Sequence, residues 1–164
     1  MKAISSAIAA LALISLGFAV APKLRAETPP DQIKAAGAIA LTTELLEKMD
    51  KVIKAVAADA AAKAEMTVIG KDPSLTPETW AAAISSKCPK AVALFKAAAL
   101  TPDDFSKGIF AIMAVAMSED LAKSEDATVK ANAAFVTANK DRCDAVFGGF
   151  MTLGEPSSPP SSTP

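Results

Sequence analysis

The sequence predicts an all-α protein, a single antiparallel bundle of four to five helices that follows a cleaved signal peptide. Three observations carry this. Of the 164 residues, 37 are Ala, the strongest helix former. Val and Ile recur at spacings of three and four and never alternate, so no strand pattern is visible. The breaks between apolar runs are short, which makes consecutive helices antiparallel neighbours.

The chain opens as a secretory signal. Lys2 supplies the positive start, and Ala3 to Ala21 is almost wholly small and apolar. Two small-residue exits follow, Ala19-Val20-Ala21 and Leu24-Arg25-Ala26. Pro22 disfavours the first, so cleavage is expected after Ala26, with a periplasmic or secreted product. The other reading is an uncleaved anchor, since 19 residues just span a bilayer. The expected organisation is thus a signal over 1–26, a helical domain over 27–153 and a disordered Pro/Ser/Thr tail over 154–164. No stable membrane insertion is expected once the signal is gone.

Within the domain, a first helix is expected from Asp31 to Val68. Leu45, Met49, Val52, Val56 and Ala60 form its buried stripe. Glu44–Lys48, Glu47–Lys51 and Asp50–Lys54 form acid-before-base pairs on the other face. Leu75-Thr76-Pro77-Glu78-Thr79-Trp80 and Leu100-Thr101-Pro102-Asp103-Asp104-Phe105 then repeat one helix-opening device. Thr is the N-cap, and Pro fills the first helical position, where its missing N–H costs nothing. Cys88-Pro89 breaks or kinks the helix between them. The next helix runs from Pro102 to Lys123, and its middle, Ile109 to Met117, is apolar all round, which predicts the most buried helix. A last helix runs from Ala127 to Phe147 and ends at Gly148-Gly149.

The residues Leu100 to Phe105, the Met-rich run Ile109 to Met117 and the block Ala131-Asn132-Ala133-Ala134-Phe135-Val136-Thr137-Ala138-Asn139-Lys140 resemble a loose set of small exported all-helical bacterial proteins. The likeness covers 100–147. It implies an exported helical domain; that set has no assigned activity, so no catalytic residues carry over.

Composition excludes much chemistry. There is no His, which removes His-ligated metal and haem sites and His-based acid–base or nucleophilic catalysis. Without Lys2, Lys23 and Arg25 the mature chain has 14 basic and 18 acidic residues, a net charge of −4. That balance offers no basic face for a run of phosphates, so no nucleic-acid partner is expected. No cofactor is expected either.

Cys88 and Cys143, the two cysteines, both fall on apolar stripes. In an oxidising compartment they are read as a structural disulfide; two buried thiols are the other reading. Phe110, Met113, Met117, Phe135 and Asn139 are read as the lining of an apolar pocket, with an ordinary core as the blander alternative. Asn132 and Asn139 border the last stripe, either as buried amides that orient a ligand or fix register, or as half-exposed boundary residues. Asp103-Asp104 and Glu119-Asp120 are the nearest approach to paired carboxylates, but neighbours on one helix point about 100° apart and do not face across a cleft. The functional expectation is a non-enzymatic binding or interaction module of the cell envelope with a protein partner. A carrier of an apolar small molecule is the alternative, and an enzyme a distant third.

Overall fold

The computed structural model describes residues 30–72 and 76–154. The expected signal, its cleavage point and the Pro/Ser/Thr tail from 155 onward lie outside the described residues, as does Leu75. The described chain is all-helical, without strands. It is divided more finely than the sequence predicts, into α1 (Pro30–Gly37), α2 (Thr43–Ala58), α3 (Ala60–Gly70), α4 (Pro77–Lys87), α5 (Pro89–Ala97), α6 (Pro102–Met117), a 3-10 turn (Glu119–Lys123), α7 (Ala127–Ala138) and α8 (Lys140–Leu153). None of these helices is long and apolar enough to cross a membrane.

The extra breaks have local causes. The predicted first helix is three. Asp59 interrupts it inside an Ala-rich run: its N–H closes α2 on the Ala55 and Val56 carbonyls, while its carboxylate accepts from the Ala61 and Ala62 amides and opens α3. A short acid that can reach its own backbone competes with helix continuation, and here it wins. Ala60, placed on the buried stripe by periodicity, is therefore exposed. Asn139 makes the corresponding break between α7 and α8. Its backbone N–H and its side-chain amide both donate to the Phe135 carbonyl, each at 2.9 Å.

Both Thr-Pro openings form as expected. Thr76 and Thr79 make a reciprocal capping box, and Thr101 Oγ1 accepts from Asp104 N at 3.0 Å. Cys88 ends α4 and starts α5 without a side-chain cap. Ala99 follows α5 at φ 52°, the left-handed conformation, with Leu100 N donating to Phe95 O and Ala99 N to Lys96 O. This is a Schellman closure with Ala where Gly is preferred.

Gly148-Gly149 does not end the last helix; both lie inside α8. A Cβ on Gly149 would come within 2.8 Å of Ile53 Cγ2, so the missing side chain lets α8 press onto α2. α6 packs against α1, α4, α7 and α8 and is central. Phe105, Ser106, Gly108, Ile109, Ala111, Ile112 and Ala114 are its buried residues. Its apolar middle is not buried all round: Phe110 and Met113 are half-buried and Met117 is 68% exposed.

The main core gathers side chains from α2 to α6 and α8, together with Val136 of α7. Phe105 is its centre, with ring centroids 5.1 Å from Phe95, 6.0 Å from Trp80 and 6.2 Å from Phe150. A small second cluster of Ala36, Ala114, Leu121 and Val129 lies where α1, α6, the 3-10 turn and α7 meet.

Candidate functional site

A groove runs between α1 and α6. Asp31, Lys34, Ala35 and Ala38 line one wall at helical spacing, and Asp103, Lys107 and Phe110 line the other at i, i+4 and i+7. Thr76, the cap of α4, also lines it. Its volume is about 330 Å³. Ala35, Ala38 and Phe110 supply apolar surface, and two acids and two bases supply charge. Lys107 Nζ pairs with Asp103 Oδ2 at 2.6 Å along the α6 wall.

The α1 wall is positioned from outside the groove. Asn132 on α7 is 1% exposed. Its Oδ1 accepts from Leu41 N at 2.8 Å, and its Nδ2 donates to Ala36 O at 2.6 Å and Ile39 O at 2.7 Å. One amide thus satisfies the last turn of α1 and the connection to α2. Asn132 is the register-fixing member of the two asparagines considered in the sequence. Its fully buried state was not legible there, because its partners lie more than 90 residues away.

The five residues read as an apolar pocket are not brought together around one space. Phe110 lines the α1–α6 groove. Met113 lies half-buried on α6, Met117 is exposed, Phe135 packs against the main core, and Asn139 caps a helix junction.

The expected Cys88–Cys143 disulfide is not formed. Both residues are free, buried thiols. Both belong to the main core, but Cys88 stands at the α4–α5 junction, whose neighbours include α3, α2 and α6, whereas α8 packs chiefly on α2. Stripe periodicity brings two residues to a common core; it does not put them side by side. Burial raises the Cys88 thiol to about 11, helped by the negative charge of Glu65 and opposed by Lys87. Burial, with Asp144 nearby, also raises Cys143. Both are therefore protonated at neutral pH and poor nucleophiles.

Glu65 has a structural role with no sequence signal. Its Oε2 accepts from Lys90 N at 2.9 Å and Ala91 N at 3.1 Å, and so caps α5 from α3 in place of the incapable Cys88 thiol. The acid pairs fall apart in the same way. Asp103 holds Lys107, Asp104 accepts from the Thr101 hydroxyl at 2.8 Å, and Asp120 pairs with Lys123 at 3.2 Å. Among the described residues, no cluster of three or more His, Cys, Asp or Glu is placed to hold a metal ion. Comparison of the chain with family models, with curated proteins and with solved structures found no match.

Proposed function

We propose that the chain is an exported, non-enzymatic binding module of the cell envelope, and that the α1–α6 groove is its recognition surface. Export rests on Lys2, the apolar run Ala3 to Ala21 and the small exit residue Ala26. The binding reading is carried by the groove itself, where Phe110 and two alanines lie beside Asp31, Lys34, Asp103 and Lys107. Apolar surface with a few orienting polar groups is the usual make-up of a recognition site. A chain without His, with both thiols held protonated, is better suited to binding than to chemistry.

The second reading is a carrier of an apolar small molecule. It is favoured by one observation, the groove volume of about 330 Å³, which is at the small end of the range for small-molecule pockets. Native mass spectrometry of protein recovered from its own host separates the two: a co-purifying protein supports the first and an adduct of a few hundred daltons the second. Phe110→Asp should lose either species. Retention of the bound species by that variant would remove the groove from both readings.

A further inference from the structure

The acidic net balance predicts no basic face for phosphates, but positive charge is unevenly distributed over this protein. Between Glu78 and Asp103 the chain carries Lys87, Lys90 and Lys96 and no acid. All three lysines are exposed, at the end of α4 and along α5. Lys51 of α2 joins them, with its Nζ 3.5 Å from the carbonyl of Ala97 at the far end of α5.

Elsewhere six bases have acid partners, while Lys63, Lys71 and Lys130 on α3, its C-terminal end and α7 also enter no ion pair among the described residues. Glu44–Lys48, Asp50–Lys54, Asp103–Lys107, Asp120–Lys123, Lys140–Asp144 and Glu47–Arg142 are ion pairs on α2, α6, the 3-10 turn and α8. Lys51, Lys87, Lys90 and Lys96 enter no ion pair among the described residues. Glu65 contacts this face, and its carboxylate accepts from the Lys90 and Ala91 backbone amides. The predicted Glu47–Lys51 pair is replaced by Glu47–Arg142 at 3.4 Å.

The surface between these lysines is small and flat in chemistry. Its exposed residues are Ser85, Ser86, Pro89, Ala93 and Ala97, with no exposed aromatic or long aliphatic side chain. A protein partner would want aromatic or Arg anchors. Nucleic-acid readers place Arg, Asn or Gln on base edges or stack aromatics on bases. Four unpaired lysines on a surface of Ala and Ser match diffuse negative charge and offer nothing to insert. We propose that the α5 face docks peripherally on an anionic phospholipid surface, through charge alone and without insertion. This surface is separate from the α1–α6 groove, and its test is independent of the groove's occupant.

Each lysine held close to such a surface strengthens binding roughly five-fold, and salt screens the effect. The test is co-sedimentation of the full chain with vesicles of phosphatidylglycerol mixed with phosphatidylcholine, against phosphatidylcholine alone. The preference for anionic vesicles should fall on the order of 100-fold in Lys87→Gln/Lys90→Gln/Lys96→Gln. It should also weaken as salt rises. Single variants should each lose about five-fold. A triple variant of equal net charge at paired lysines, Lys54→Gln/Lys123→Gln/Lys140→Gln, should bind anionic vesicles far better than the α5 triple. Lys2, Lys23 and Arg25 are common to every variant, so their contribution cancels. Equal vesicle binding by the two triple variants would overturn the proposal, as would wild-type chain that binds duplex DNA and ignores anionic vesicles.

Discussion

The two hydrophobic clusters hold the chain by different means. The main core has Trp80, Phe105 and Phe150 in mutual ring contact and Phe95 against Phe105, with Leu, Ile, Val and Met around them. Burial of such side chains is worth about 1.5–3 kcal/mol each, without demanding direction. The small cluster has only Leu121, Val129 and two alanines, and α1 contributes Ala36 as its one buried residue. There a single buried amide, Asn132, makes the three hydrogen bonds that seat α1. Where large apolar side chains are scarce, a directional polar group takes over the work of positioning.

This contrast can be broken at several points. Phe105→Ala should give the largest effect, about 3–5 kcal/mol, because it removes the ring common to three aromatic contacts. Denaturant melts should show one shifted transition for the whole chain. Asn132→Leu should cost about 2–3 kcal/mol, since Leu41 N–H and the Ala36 and Ile39 carbonyls lose their partner. The loss should be local: hydrogen exchange should speed up at Leu41 and α1 while α5 amides stay protected. Uniform exchange throughout would show that the small cluster is not a separate unit.

Smaller substitutions sharpen the comparison within the main region. Ala99→Gly should stabilise by about 1 kcal/mol, because an L side chain at φ 52° is strained and Gly is not. Thr101→Ala should destabilise by about 1 kcal/mol through loss of the α6 cap. Equilibrium unfolding monitors both, and opposite signs are required.

A further effect is in pH. The Cys88 thiol rises from 9.0 to about 11 on folding, so the unfolded chain gives up this proton first. Its contribution is fully present below about pH 9 and is lost as pH rises toward 11. Cys88→Ala should flatten that part of the stability profile relative to wild type. Alkylation of native protein at neutral pH should leave both thiols unmodified, and unfolding without reductant should expose both.

The proline-marked local signals are legible in the sequence, whereas the Gly148-Gly149 stop is not, because both glycines lie inside α8. Thr76-Pro77 and Thr101-Pro102 start helices, and Cys88-Pro89 breaks one. The Asp59 and Asn139 breaks were missed because neither is flanked by Pro or Gly, and apolar periodicity continues through both. The cysteines were placed correctly inside the core and wrongly joined to each other. Of the residues read as a pocket, only Phe110 borders the groove. The other groove residues are charged or small, and their helical spacing within α1 and α6 does not reveal that the two helices face each other.

What the sequence determined by itself is what neighbours within about four residues decide: the all-helical class, the Thr-Pro caps, and the Glu44–Lys48 and Asp50–Lys54 pairs. Each depends on hydrogen bonds or charges within one helical turn. Only the tertiary structure decided that Asn132 seats α1, that Glu65 caps α5, and that Glu47 leaves Lys51 for Arg142. These groups meet partners 25 to 96 residues away. A polar side chain has several acceptable partners, and the choice among them is made by whichever backbone or charge the packed helices bring within hydrogen-bonding distance.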